Sequence, residues 1–263
     1  MMMQPSLLAT HEWQPGTDAR VAAPVAVLVH GITGWWRTWW RVGPALAERG
    51  WRVVAVDLRG HGESPPIAGV ATAESLAADV AAAIEAVAAA PVDAIIGHSL
   101  GAAVAMEVLH RRPEIARRAV LEDPPGQTRA DDLEFQATLE RETHAARTGL
   151  EAEVRRELAE NPAWLPEDAR QNVEGRAMCD RDGILASLRS NTGVRAIELA
   201  PMLRVSALYL IADVERSALG AARARLIRSL PAEAEAVELA SGHTIHRDRF
   251  DTYVAEVLRW LER

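Results

Sequence analysis

The run with the most chemical content in this 263-residue chain is Gly97-His98-Ser99-Leu100-Gly101. It follows the apolar stretch Ala94 to Ile96, which predicts a strand, and it opens the helical pattern Leu100 to Arg111. In that setting G-x-S-x-G is a sharp turn that holds the serine hydroxyl out at the carboxyl edge of a sheet. Glycine two positions away on each side keeps bulk out of the turn. A serine so placed becomes a nucleophile once a base takes its proton. The bland alternative is a serine that only caps the helix.

Eight histidines are candidates for that base. His243 follows a strand-like run, Val237 to Leu239, and a glycine, so its loop can swing the ring over Ser99; it is preferred to His246. The i, i+3 pair these two form could hold a metal, but no carboxylate or cysteine cluster completes a set, so no metal is expected. His98 lies within the serine turn and His30 and His61 in glycine turns, where hydrogen-bonded scaffolding is the expectation. His11, His110 and His144 stand in no motif and are expected at the surface.

Holding these groups together takes a sheet. Short apolar runs at Val25 to Val29, Val53 to Val56, Ala94 to Ile96, Ala119 to Leu121, Ala207 to Ile211 and Val237 to Leu239 predict its strands. They alternate with helical patterns at Pro44 to Arg49, Ala71 to Ala90, Leu100 to Arg111, Ala218 to Ser229 and Phe250 to Leu261. Strands apolar on both faces and separated by helices predict an α/β fold with a buried, mostly parallel sheet and right-handed crossovers. Thr72 is the predicted N-cap of the Ala-rich helix and Pro91 its stop.

The alternation breaks once, between Asp123 and Pro201, where the sequence turns helical and charged. Pro124, Pro125 and Gly126 punctuate the exit from the sheet and Pro201 the return. The predicted organisation is a core of residues 1–123 and 201–263 with a helical insertion, 124–200. From Gln127 to Ala200 there are 15 acidic and 10 basic residues, so the insertion carries -5 of the net charge of -8. A solvated outer face accounts for that charge.

Composition narrows the function classes. With 29 basic against 37 acidic residues, a nucleic-acid partner is not expected. Every basic residue is an arginine; without a lysine amine, Schiff-base catalysis and a P-loop are excluded. A chain 49% hydrophobic and 25% charged has the material for a large core. The lone Cys179 cannot form an internal disulfide and has no flanking motif. Residues 1–10 lack a basic n-region and a long apolar h-region, and no apolar run reaches the roughly 18 residues of a membrane helix. A cytoplasmic protein with no membrane span is the expectation, with the oligomeric state open.

Taken in order, these segments resemble the α/β-hydrolase superfamily over nearly the whole chain. His30-Gly31-Ile32-Thr33-Gly34 is similar to the family's His-Gly turn, Asp57-Leu58-Arg59-Gly60-His61-Gly62-Glu63-Ser64 to its D-x-R-G-x-G-x-S loop, and Ser241-Gly242-His243 to the segment carrying its catalytic histidine. Ser99 before His243 is the order the family requires. The resemblance implies an α/β-hydrolase fold, a mostly parallel twisted sheet flanked by helices with 124–200 as a cap. It also implies a serine hydrolase that cleaves an ester or lactone of an apolar small molecule through an acyl-enzyme on Ser99. The backbone N–H groups of Ile32 and Leu100 would hold the oxyanion, and no cofactor is implied. Carbon-carbon bond hydrolases and perhydrolases use the same triad, and a ligand receptor with a hydrolase-like fold is the alternative from another class. Epoxide hydrolases and haloalkane dehalogenases resemble this architecture but use an aspartate at the turn, and Ser99 speaks against both.

The resemblance leaves two places for the acid. The family's usual position is the loop after Ala207 to Ile211, where Glu215 falls in register and Asp213 lies close; Arg216 offers Glu215 a competing ion pair. The other position is the end of the strand after the nucleophile helix, where Asp123 stands, and Asp123 is the choice, Glu215 the runner-up and Asp213 third. Glu122 should point the other way if the pleat persists. Trp35, Trp36, Trp39 and Trp40, spaced i, i+1, i+4 and i+5, would lie along one side of a short helix. They either pack that helix against the cap or line an apolar pocket beside Ser99, with Trp35 and Trp36 as the pocket candidates.

Overall fold

The computed structural model describes residues 8–16, 23–88, 90–126, 132–190, 195–213 and 215–263. Met1, which opens the predicted core, and Gln127, near the entry to the predicted insertion, lie outside the described residues. Seven strands form one sheet: β1 (Thr10–Trp13), β2 (Val25–Val29), β3 (Arg52–Val56), β4 (Val92–His98), β5 (Ala116–Glu122), β6 (Ser206–Ile211) and β7 (Ala234–Glu238). Their order is β1-β3-β2-β4-β5-β6-β7. Only β1 runs antiparallel, pairing Thr10 with Val56 and Trp13 with Val53 at the sheet edge. The sequence reading lacks β1 because its four residues, Thr-His-Glu-Trp, are polar enough at an edge to leave no apolar run.

Strand pleating divides the core between the two faces of the sheet. Val27, Val29, Ile95, Ala119 and Leu121 pack on one face with α2 (Ala73–Val87) and α3 (Leu100–Arg111). Ala26, Leu28, Ala94, Ile96 and Val120 pack on the other with α1 (Val42–Ala47) and the C-terminal helix, α11 (Phe250–Leu261). This two-sided burial makes the strands read as unbroken apolar runs. Thr72 caps α2 as expected, its hydroxyl accepting from Ser75 N at 3.0 Å.

After β5 the described residues form the helices α4 (Leu133–Thr148), α5 (Leu150–Glu160), α6 (Pro166–Met178) and α7 (Arg181–Arg189). They hold two small apolar clusters of their own, one around Leu139, Cys179, Ile184 and Leu185, the other around Ala146, Val154, Ala169 and Val173. The inserted unit ends before residue 200. Helix α8 (Ala196–Leu199) buries Ala196, Ile197 and Leu199 in the core cluster that contains α3, so this turn belongs with the sheet.

A second departure concerns the helix predicted from Ala218. Helix α9 spans Arg223–Ser229, preceded by a 3₁₀ turn at Gly220–Ala222. Gly220 takes φ 49° and Ala218 N is bonded away to Asp123, so the helix cannot start earlier.

Candidate active site

The carboxyl ends of β2, β4, β5, β6 and β7 lie side by side, and each delivers one part of the site, as α/β sheets do. Ser99 follows β4 directly. It is buried, with φ 53° and ψ -119°, and its carbonyl accepts the first bond of α3 from Ala103 N at 3.1 Å. A Cβ on Gly97 would come within 2.5 Å of Gly101 O, so nothing but glycine permits the descent of α3 onto β4. Thr33, Ser99 and Asp123 are the non-glycine residues with positive φ among those described, and all three stand at this edge. Strain of about 1–3 kcal/mol at each is held by the packing around it.

The loop after β2 approaches the same point. A Cβ on Gly31 would sit 3.2 Å from Ser99 Cβ, so the turn lies against the serine. The turn closes through Gly34 N to Gly31 O at 3.0 Å, and His30 ties it down. The ring donates from Nδ1 to Gly31 O at 2.7 Å and accepts at Nε2 from Leu58 N at 3.0 Å, which fixes the neutral tautomer. Complete burial holds His30 down to a pKa of about 3. Among the described residues neither Ile32 N nor Leu100 N donates to another group, so both amides are available at the serine turn.

The loop after β7 carries His243. Its Nδ1 donates to Asp123 Oδ2 at 2.6 Å, and its ring lies 4.8 Å, centroid to centroid, from that of His98, whose Nε2 bonds His243 O at 3.2 Å. The side chain is 35% exposed. No hydrogen bond joins His243 to Ser99 Oγ among the described residues; such contacts tighten when substrate binds.

Asp123, just past β5, is wholly buried. Besides His243 it accepts from Ser217 Oγ at 2.6 Å, Ala218 N at 2.8 Å and Ala212 N at 3.2 Å. The loop after β6 therefore supplies donors to the carboxylate instead of the carboxylate itself. Glu215 and Asp213 are both exposed, and neither contacts His243. The pleat turns Glu122 the other way, as expected: it accepts from His246 N at 3.0 Å and from His246 Nδ1 at 2.8 Å in a fully buried pair. This second acid–histidine pair and the Ser217 hydroxyl are the parts that sequence reasoning missed. The signal available was two adjacent carboxylates, Glu122 and Asp123, and two histidines three residues apart, His243 and His246, which pair in crossed order.

The tryptophans do not share one side. Residues 36–39 form a 3₁₀ turn, and its tighter winding fans the rings out. Trp35 Nε1 donates to Gln171 O of α6 at 3.1 Å, and Trp40 Nε1 to Asp168 of α6 at 2.9 Å. Trp39 is buried beside His246, with ring centroids 4.8 Å apart. Trp36 stacks on His11 of β1 at 3.7 Å, which corrects its assignment to a pocket beside Ser99 and takes His11 off the bare surface. Trp35 joins the inserted helices to the turn that follows β2. Ile32 does the same, packing against the cluster of Leu139, Ile184 and Leu185.

Buried polar groups fix the remaining loops. Asp57 accepts from Glu63 N at 2.8 Å and Trp36 N at 2.5 Å, with burial raising its pKa to about 6. His61 donates to Arg59 O at 3.0 Å and is held down to about 4 by burial. Cys179 is buried and its thiol raised to about 11, the behaviour of a small apolar residue.

A family model described as alpha/beta hydrolase fold matches residues 24–170. The chain belongs to this family. Lipase LipV of Mycobacterium tuberculosis is 38% identical over 117 residues, 44% of this chain and 41% of that protein. The sn-1-specific diacylglycerol lipase ABHD11 of Mus musculus is 32% identical over 114 residues, 42% of this chain and 36% of that protein. The matches thus span less than half of these curated relatives. Among solved structures, an enol-lactonase from Burkholderia xenovorans superposes with a TM-score of 0.75 at 23% identity, covering 97% of this chain and 96% of that one. An esterase from Exiguobacterium antarcticum gives 0.75 at 15% identity, covering 97% and 96%. At these identities the likeness is one of fold. No helix among the described residues is long and apolar enough to cross a membrane.

Proposed function

We propose that this member of the family is a serine hydrolase that cleaves an ester or lactone of a small molecule through an acyl-enzyme on Ser99. The observation that carries the reading is the 2.6 Å contact between His243 and the buried Asp123, at strand ends adjoining the strained Ser99 turn. Ser99 Oγ attacks the carbonyl carbon while His243 Nε2 takes its proton. Asp123 holds Nδ1 protonated and steadies the imidazolium that results. The carbonyl oxygen becomes an oxyanion held by Ile32 N–H and Leu100 N–H, each donor contributing about 3 kcal/mol to the transition state. His243 then returns the proton to the leaving oxygen, and a water molecule deacylates the serine by the same steps in reverse. Helices α4–α7 act as the cap, and with Ile32 and Trp35 they supply the apolar side of the site.

Mass analysis after fluorophosphonate treatment tests this. One adduct on Ser99 is expected, and Ser99→Ala should lower ester turnover by roughly three to six orders of magnitude with the fold retained. An adduct elsewhere, or an active Ser99→Ala protein, refutes the assignment; labelling without turnover of small aryl esters returns the receptor reading.

A further inference from the structure

Helix α10 (Ile245–Asp248) begins two residues after His243 and carries the one arginine that is buried among the described residues. Arg247 is 4% exposed, yet its guanidinium makes no hydrogen bond and has no carboxylate within 4.0 Å among the described residues. Its neighbours across the cap boundary are already engaged. Asp168 accepts from Trp40 and faces Arg41, Glu157 is bonded by Arg176, and Asp248 accepts from Trp164 Nε1 at 2.7 Å. What Arg247 does touch is the face of Trp164, 4.7 Å from the ring centroid. A guanidinium over an aromatic face leaves the fork of N–H donors in its own plane free for a planar anion.

An unpaired cation in a buried position is costly, and natural interiors supply it with a partner. Burial here pushes the Arg247 guanidinium down to about 10, still charged at neutral pH. It lies against Trp164, in the link between α5 and α6, and four residues after His243. The cation therefore stands where the cap meets the catalytic edge.

We propose that Arg247 receives a carboxylate of the substrate, so that the molecule cleaved at Ser99 is an ester or lactone of a small acid with an apolar body and one anionic end. This rests on the hydrolase reading of Ser99, and it replaces the sequence-based expectation of an uncharged substrate. A bidentate guanidinium–carboxylate pair, shielded by Trp164, would fix the acyl chain by its far end and set its length.

The test is competition against fluorophosphonate labelling of Ser99, which needs no knowledge of the natural ester. Dicarboxylates of three to six carbons should slow labelling of the wild-type protein, at least one of them about tenfold at millimolar concentration, while the matching neutral diamides should not. A second arm compares monomethyl glutarate with methyl pentanoate. Arg247→Met should lower the ratio of their kcat/KM values by about 10- to 100-fold, through KM for the anionic ester, with Arg247→Lys in between. The proposal falls if no dicarboxylate protects Ser99, or if Arg247→Met leaves that ratio unchanged. Should Arg247→Met not fold, protection of the wild-type protein decides alone. Failure of labelling at Ser99 itself would instead overturn the hydrolase reading.

Discussion

Asp123 and Glu122 are consecutive residues, and each bonds a histidine of the same short segment, yet the two pairs live in different media. The Asp123–His243 pair has its carboxylate buried under four donors and its imidazole 35% exposed. The Glu122–His246 pair is closed on both sides, His246 being 2% exposed with a buried Nε2 that has no partner among the described residues. Burial raises Glu122 and holds His246 well below its ordinary value, so both groups resist charge. On the proposed reading, the same chemical pairing serves catalysis where one member is exposed and architecture where neither is. The sealed pair ties the end of β5 to α10 and so sets where the His243 loop begins.

The comparison breaks most directly at the acid. Asp123→Asn should cost about four orders of magnitude in turnover, because His243 loses its tautomer and its charge partner. Glu215→Gln, at an exposed position, should stay within a few-fold of the parent. Kinetics of the two variants side by side decide it, and the reverse pattern would return the acid to the loop after β6.

For the sealed pair the expected loss is in stability. Glu122→Gln disturbs a buried, hydrogen-bonded pair and should cost about 1–3 kcal/mol in urea unfolding, with kcat reduced less than tenfold once folded. A collapse of kcat at unchanged stability would show that the sealed pair takes part in proton transfer.

Acidification sharpens the contrast further. His30 and His61 have folded pKa values of about 3 and about 4, below the unfolded 6.5. The unfolded chain therefore takes up protons first, and stability falls as pH drops below 6.5. By pH 5 each histidine should have cost about 2 kcal/mol. Asp57, raised to about 6, acts in the opposite direction and returns about 1 kcal/mol over that interval. Urea midpoints at pH 7 and pH 5 should show the net loss; an unchanged midpoint would mean that these rings are not held neutral in the folded state.

The smallest effect belongs to Ser217. Its hydroxyl is one of four donors to Asp123, so Ser217→Ala should reduce kcat about fivefold, the worth of one hydrogen bond of about 1 kcal/mol. No change in single-turnover rates would mean that the remaining three donors hold the carboxylate unaided.

The serine turn, six of the seven strands and the inserted helices were legible in the sequence because each is a local matter. Period and apolarity announce a strand, glycines at fixed offsets announce a sharp turn, and Thr72 announces a helix start. The choice among Asp123, Glu215 and Asp213 was not local. It depended on which strand end the His243 loop reaches, here that of β5 beyond the neighbouring β6, and on Ser217 and Ala218 turning back to donate to Asp123 from 94 and 95 residues away. The tryptophans were misread for a related reason. A four-residue spacing means one side only if the turn is α-helical, and packing against β1 and α6 wound it as 3₁₀. Sequence by itself determined the chemistry that Ser99 and His243 can perform and the sheet edge that presents them. The partner of His243, the seal around His246 and the burial of Arg247 against Trp164 were decided by tertiary structure, because burial and contact between distant strand ends set which groups meet.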